Sequence, residues 1–401
     1  MNDVTIEIQP GSGRQIPDTD AVSGLISSGV ASGSVVLGNV YKLTTLDDAI
    51  ALGIDADYDS TNTVLVYEHI KEFFRMSGNK GPLYIQLVAK TVTPAQMCDP
   101  TLTTYSMKLL AFSQGTVNQL SVAYCPVAAV TDDTALLAAI PKAQLLVDKA
   151  MATHQPLHVL LEGVGYDVTD SFDLRSMNAP GVSVVVGQCN EVQQRAVIYA
   201  KSAAVGTALG TVALSKVSES IQWVQKFNLY GDNLSDFRIS GILSTNLTDA
   251  QLAQAHGDGM IFFLSHANYS GIYFNDSHSG GDATTDFQFI EDKRTINKAA
   301  RLVRRALLPR LGGPVNIDPA SGQIASADIK FLESLGNRAI RPMFSAGDIS
   351  GPDPDGSTPP FTIDPNQDIL QTGELVCDLR VVRVGTARQI KVKIGFINPN
   401  S

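Results

Sequence analysis

The sequence predicts a mixed α/β fold: largely parallel sheets flanked by helices, with extended strand arms at the N- and C-termini. Apolar runs of strand length alternate with amphipathic helical segments along most of the 401 residues. Many of these runs are continuous rather than alternating, as in strands covered on both faces. Each end of the chain also carries a lone segment that alternates at period two. Strands and helices in this order form a sheet with helices on both sides.

Val4-Thr5-Ile6-Glu7-Ile8-Gln9 alternates apolar and polar residues before PGSG, so it reads as a strand followed by a flexible connection. Gly and Ser crowd Gly24 to Gly33, a loop composition. Thr45 caps a short helix, with Asp48 three residues on and Gly53 closing it. A second helix runs from about Asn62 to Met76 and sets Val66, Ile70, Phe73 and Phe74 on one face. GNKG turns it into a strand at Leu83 to Val88. LSVAYCPVAAV is the next strand, Pro141 opens a helix that ends at Thr153, HVLLEGV and SVVVGQ are strands, and Glu191 to Val205 is a helix. Beyond Phe237-Arg238-Ile239, Asn246 or Thr248 caps a helix over Ala250 to Ala255, and an apolar strand and a basic helix follow. Gly347 to Pro365 is too rich in Pro, Gly and Asp for regular structure. ELVCDLRVVRV and RQIKVKIGFI close the chain as strands, the second placing Ile390, Val392, Ile394 and Phe396 opposite Gln389, Lys391, Lys393 and Gly395.

With 44% hydrophobic and 17% charged residues the composition is globular, and so low a charge fraction implies that much of the surface faces other protein. Cys98, Cys125, Cys189 and Cys377 stand singly, which excludes a disulfide framework or a zinc knuckle and fits buried thiols in a reducing compartment. MNDVTIEIQP lacks the features of a signal peptide, and no segment approaches the roughly 18 uninterrupted apolar residues of a membrane span. The expectation is no export and no stable membrane insertion.

No motif carries catalysis or a cofactor. GTALGTVALSK lacks the Lys-Ser/Thr of a phosphate loop, and LEGVGYD lacks the third glycine of a dinucleotide fold. His256, Asp258, His266 and His278 fall near Asp276 and Asp282 without metal-ligand spacing, Asp353 and Asp355 lack a closing acidic ligand, and no GxSxG elbow is present. Catalytic, cofactor and metal sites are therefore all expected to be none.

One local signal stands above this background. Lys293 to Arg310 gathers seven of the 30 Lys and Arg residues without one acid, in a chain of net charge -10. At 100° per residue Ile296, Ala299, Val303, Ala306 and Leu307 share one face, while Arg294, Lys298, Arg301 and Arg305 form an opposing stripe. Like charges at this spacing repel, so the stripe is either solvated or meets acids. Nucleic acid is disfavoured by the acidic remainder and the lack of interleaved aromatics. Acids of Leu46 to Asp59, a segment with five aspartates, or of another protein surface are the candidate partners.

The order of segments resembles the contractile tail sheath family of contractile phage tails and related injection systems. EFFRMSGNKGPLYIQLVA (Glu72 to Ala89) is similar to the family's early helix, glycine turn and strand, with the glycine pair interrupted as Gly78-Asn79-Lys80-Gly81. Leu247 to Ser279 resembles its helix, turn and two strands, with Asp276-Ser277 in place of Arg-Thr. RTINKAARLVRRALLPRL matches its Arg-rich helix, and VRVGTARQIKVKIGFI its closing strand, without the usual proline. The resemblance implies a structural subunit and no enzyme: stacked hexameric rings in a helical sheath around an inner tail tube, in contact with baseplate and tail terminator proteins. The sheath contracts to drive the tube through a target envelope. It also implies assembly in the host bacterial cytoplasm and residence in a virion tail or injection-system sheath. Four parts are expected: an N-terminal arm and linker (1–33), an N-terminal α/β domain (34–98), a central α/β domain (99–311) and a C-terminal sheath domain with its strand arm (312–401). Lys298, Arg301, Arg304 and Arg305 are the expected contacts to tube or neighbouring subunit. Val4, Ile6, Ile8, Ile390, Val392, Ile394 and Phe396 are the expected inter-subunit arm residues. The competing reading is an α/β enzyme, which needs convergent polar groups at strand C-termini.

Strands with one apolar face are unstable alone, and pairing in trans is expected for both arms. Removing residues 1–12 should leave a folded monomer that forms no cylinders in negative-stain images; normal cylinders would refute trans pairing of the N-terminal arm.

Overall fold

A computed structural model describes residues 19–169, 172–232, 234–282 and 284–395. Its centre is a six-stranded sheet in the order β2-β3-β1-β4-β5-β6, built from β1 (Ser23–Gly29), β2 (Val40–Leu43), β3 (Leu83–Ala89), β4 (Gln119–Ala123), β5 (His158–Glu162) and β6 (Val182–Val185). All neighbours run parallel except β2, which lies antiparallel on the edge of β3. Helices α1 (Leu46–Ala51), α2 (Ala56–Asn62) and α3 (Val66–Ser77) connect β2 to β3, α4 (Pro94–Cys98) and α5 (Ser106–Phe112) connect β3 to β4, and α6 (Thr134–Ala152) leads into β5. The two sheet faces bury separate cores. Leu25, Ile85, Leu87 and Leu160 pack against α3, whereas Ile26, Val88, Val122 and Val159 pack against α4, α5 and α6. This is the mixed, mostly parallel α/β architecture that the apolar runs imply.

Gly24 to Gly33 does not form the expected loop, because β1 is the fully buried central strand of the sheet. Small residues are what this position requires. A Cβ on Gly24 would come within 2.9 Å of Leu120, and Ser23, Ser27 and Ser28 are at most 2% exposed between helices that pack from both sides. The helix expected from Pro141 starts earlier, with Pro141 inside α6. After β7 (Gln188–Cys189), the expected helix over Glu191 to Val205 is reduced to the short α7 (Asn190–Gln193) and a 3-10 turn at Val197–Tyr199. The long helix is instead α8 (Val205–Leu214), in the glycine-bearing GTALGTVAL. It packs on α3, and its glycines are the reason. A Cβ on Gly206 would stand 2.4 Å from the His69 carbonyl oxygen, and one on Gly210 would stand 2.6 Å from that of Phe73.

The chain then adds β8 (Phe237–Ile239) and β9 (Ile242–Leu243) to β7, α9 (Asp249–Gly257) capped by Thr248, and the hairpin β10 (Phe263–His266) and β11 (Tyr269–Phe274). The basic segment is α10 (Ile290–Leu307), and α11 (Ser326–Ala346), a helix the sequence reading missed, packs on it. Ala299 and Val303 of α10 share a third core with Ile329, Leu332 and Ile340 of α11 and with β12 (Ile349–Gly351) and β13 (Phe361–Ile363). After α12 (Ile369–Thr372), β14 (Cys377–Leu379) pairs with β13 and β15 (Val382–Arg383) with β12, two short ladders where a long strand was expected.

β1, within the expected arm and linker (1–33), lies at the centre of the sheet, β3 and β4 on either side of the 98/99 limit belong to that one sheet, and α10 shares a core with α11 across 311/312. Among the described residues no helix is long and apolar enough to cross a membrane.

Ala exceeds Gly in helix propensity by about 1 kcal/mol, but crowding in a packed core costs about 1–3 kcal/mol. Gly206→Ala should therefore lower the melting temperature. A rise would show that α3 and α8 separate at little cost.

Candidate assembly surface

Helix α10 carries its charge in two blocks. Glu291 and Asp292 occupy the first turn and Arg304 and Arg305 the last, the arrangement its dipole favours. Between them the sequence stripe meets a built ionic seat. Arg294 is 4% exposed and donates to Ser215 Oγ at 2.7 Å and the Lys216 carbonyl at 3.2 Å. Burial pulls its pKa down to about 10. Lys298 Nζ lies 2.6 Å from Asp20 Oδ2 and 2.8 Å from Asp348 Oδ2, and Arg301 Nη2 lies 2.6 Å from Asp20 Oδ1. Burial alone would raise the Asp20 carboxyl; Lys298 and Arg301 outweigh it and hold Asp20 below its ordinary value.

Two of the expected outward contacts, Lys298 and Arg301, thus face acids of their own chain. Those acids are also not in Leu46 to Asp59. There Asp48 accepts from the Thr44 and Thr45 amides, Asp55 caps α2, and Asp59 accepts from the Tyr67 and Glu68 amides. Such short-range caps use the carboxylates before any distant arginine reaches them.

Arg304 and Arg305 are exposed, and α11 extends their basic surface with Lys330, Arg338 and Arg341. Arg310 stacks its guanidinium 4.5 Å over Phe331, and a shallow groove of about 620 Å³ lies between these residues and Asp355, which Arg341 contacts. α11 is absent from the sequence reading although Ile329, Leu332, Ile340 and Met343 fall at helical spacing.

The described C-terminal tail continues beyond β15. Arg383 Nη1 lies 2.7 Å from Asp292 Oδ1, and Arg388 bonds Asp276 and Glu291. Burial pushes Glu291 up to about 7, against the pull of Arg388. Residues 389–395 adopt no regular secondary structure, and Ile390, Val392 and Ile394 are 80%, 74% and 94% exposed. Val4, Ile6, Ile8 and Phe396 lie outside the described residues.

The fold does gather His256, Asp276 and His278, whose ligand atoms lie within 4.8 Å of one another although no spacing in the sequence announces it. Their lone pairs are committed to protein. Arg175 Nη2 lies 3.1 Å from His278 Nδ1, His278 Nε2 lies 3.2 Å from His256 Nδ1, and Arg388 Nε donates to both Asp276 oxygens. Burial and the two guanidinium groups push the His278 pKa down to about 2, and the same groups oppose a dication. At the C-terminal end of the parallel strands, where an α/β enzyme places its chemistry, Glu162 accepts from the Tyr124 and Ala203 amides. Burial raises it to about 7, and the cavity beside it is only about 10 Å³. The four cysteines are free thiols, three of them buried.

Two family models match the chain, DUF2586 N-terminal domain over residues 1–278 and DUF2586 C-terminal domain over residues 286–401. The division between them falls just ahead of α10. No curated protein matches the sequence. Solved structures do match the fold over nearly the whole chain, and they are contractile sheath proteins, as the sequence resemblance implies. The helical sheath of the anti-feeding prophage in its contracted state is 15% identical, covers 98% of both chains and has a TM-score of 0.63. The contracted PVC sheath complex of an extracellular contractile injection system is 12% identical, with 100% of this chain and 99% of that chain covered and a TM-score of 0.57. The sheath tail protein of Listeria innocua is 11% identical, with 91% and 92% covered and a TM-score of 0.55.

Asp20→Asn would remove the carboxylate shared by Lys298 and Arg301 in a largely buried site and leave Lys298 to Asp348, so it should cost about 3 kcal/mol of stability near neutral pH. Because Asp20 ionises at lower pH in the folded chain than in the unfolded one, its contribution is complete above the ordinary carboxylate value and is lost as pH falls below it. Denaturant titrations should thus show the gap between Asp20→Asn and the native sequence closing below about pH 4. A gap independent of pH would mean that Asp20 acts by packing alone.

Proposed function

The chain belongs to the DUF2586 family, and from that footing we propose that it is the structural subunit of a contractile tail sheath. In this reading it polymerises as stacked hexameric rings around an inner tube and contracts to drive the tube through a target envelope. The observation that carries the proposal is the whole-chain fold likeness to a helical sheath subunit, 98% of both chains at a TM-score of 0.63. A body with a buried sheet and closed strand ends, exposed cations on the last turn of α10 and on α11, and a solvent-open tail with apolar residues is suited to making contacts rather than to turning over a small molecule. The α/β enzyme is disfavoured by the same closed strand ends, where Glu162 is committed to backbone amides.

The proposed division is a three-layer body ending with the β10–β11 hairpin and a C-terminal body from α10 onward. Residues 389–397 form the C-terminal arm, and Val4 to Gln9 the N-terminal one. Each arm adds a strand to a neighbouring subunit, with Ile390, Val392, Ile394 and Phe396, and Val4, Ile6 and Ile8, supplying the apolar faces. Lys298 and Arg301 take a role inside the chain, while Arg304 and Arg305, with Arg310 and the α11 cations, contact the tube or a neighbouring subunit. Each exposed ion pair contributes about 0.2–1 kcal/mol. Repetition around every ring converts these weak contacts into a firm but reversible grip.

Arg304 and Arg305 are exposed, so reversing both to Glu should cost the monomer only the helix-dipole contribution, about 1–2 kcal/mol, and leave it folded. The same double variant should yield tube-free or unstacked particles in negative stain. Tube-filled cylinders at the normal yield would refute the contact assignment.

A further inference from the structure

Arg388 is the last described residue that is not exposed; every position from 389 to 395 is open to solvent. Its guanidinium fills a seat built from two separate elements. Asp276, just after β11, receives Nε on both carboxylate oxygens at 3.0 and 3.1 Å. Glu291, in the first turn of α10, receives Nη2, which also lies 3.5 Å from Ser277 Oγ. The guanidinium carbon stands 3.3 Å over the centroid of Phe289. Asp276 and Glu291 are 3% and 5% exposed, so the seat is desolvated and its two carboxylates need a cation between them. A planar fork meets both at once, which a lysine does not.

A second observation bears on the direction of the tail. Residues 384–388 and Ile390 line one side of an open groove of about 890 Å³, and Trp223, Tyr269 and His266 line the other. Trp223 is the only tryptophan of the chain and is half exposed there. The tail up to Arg388 therefore borders a groove that contains its own optical reporter.

We propose that Arg388 is the positioning residue of the C-terminal arm: seated between Asp276 and Glu291, it fixes the point and direction at which residues 389–395 leave the body, so that the strand meets a second copy of the chain in register. The proposal rests on the reading of this tail as an inter-subunit strand arm. Without the seat, the nearest anchor upstream is the Arg383–Asp292 pair, and the segment between becomes a loose tether. Ordering that tether would then oppose every assembly contact, a cost that a pre-set root removes.

Arg388→Gln, assayed as the full-length monomer, should raise acrylamide quenching of Trp223 fluorescence and lose the cylinders that the native chain forms at the same concentration. Arg388→Lys should restore assembly only in part. Arg388→Gln leaves two buried carboxylates without a cation, so the triple variant Asp276→Asn, Glu291→Gln, Arg388→Gln is measured beside it. It removes the seat without that charge burden and should show the same quenching and the same loss. Native quenching in the triple variant overturns the proposal, as does normal assembly of the triple variant when deletion of residues 389–401 abolishes assembly. Normal assembly of that deletion overturns the arm reading itself, a separate failure that leaves the quenching result to decide whether Arg388 holds the tail.

Discussion

The ionic contacts of α10 are the constraint on which the rest of the structure hangs. Acids in its first turn hold Arg383 and Arg388, and bases one to three turns later hold Asp20 and Asp348. Both ends of the described chain are thereby tied to a single rigid element with opposite polarity. Buried ion pairs of this kind add little net stability, because desolvation offsets the attraction, yet breaking one of them is costly. Their effect is to specify placement. Arg294, 4% exposed beneath the Ser215 and Lys216 backbone, locks the helix against the end of α8, so that the C-terminal body cannot slide on the sheet without burying an unpaired charge.

That placement needs a body able to receive it. The parallel sheet supplies one by filling its centre with small residues. Serines and glycines in β1 let helices close on both faces, and Gly206 and Gly210 bring α8 onto the backbone of α3. The carbonyls that receive Arg294 lie at the end of this same α8. Close helix packing in the sheet layer and ionic docking of the C-terminal body are thus two consequences of where one glycine-bearing helix sits.

Patterns that depend on neighbours in sequence were legible. The continuous apolar runs that give β3 and β5, the Thr45–Asp48 and Thr248 caps, and the amphipathic α10 all follow from neighbours within one or two turns. What failed was legible only in three dimensions. Ser23-Gly24-Leu25-Ile26-Ser27-Ser28 looks like a loop until neighbours on both sides demand small side chains, and GTALGTVAL, weighed from the sequence only as a phosphate loop, is a helix whose glycines admit α3. For the site, the sequence located the cations but not their partners. Asp20 lies 281 residues from Arg301, and the nearer acids of α1 and α2 were already committed to helix starts. Of the stripe only Arg305, beside Arg304 in the last turn, stays exposed.

As the proposed inter-subunit arm, the tail would be specific rather than merely adhesive. Paired as a strand, the segment would set Ile390, Val392 and Ile394 on one face and Lys391 and Lys393 on the other, so it would join a sheet only where one side is apolar and the other is wet. Lysines on an edge strand also resist pairing with an identical tail, since their like charges would meet across the ladder. The proposed root at Arg388 would narrow the choice further, because a strand whose starting point is set reaches few partners in few registers. Register, charge and origin each exclude a different class of wrong contact, and a strand so restricted can remain open to solvent until a copy of the correct surface arrives.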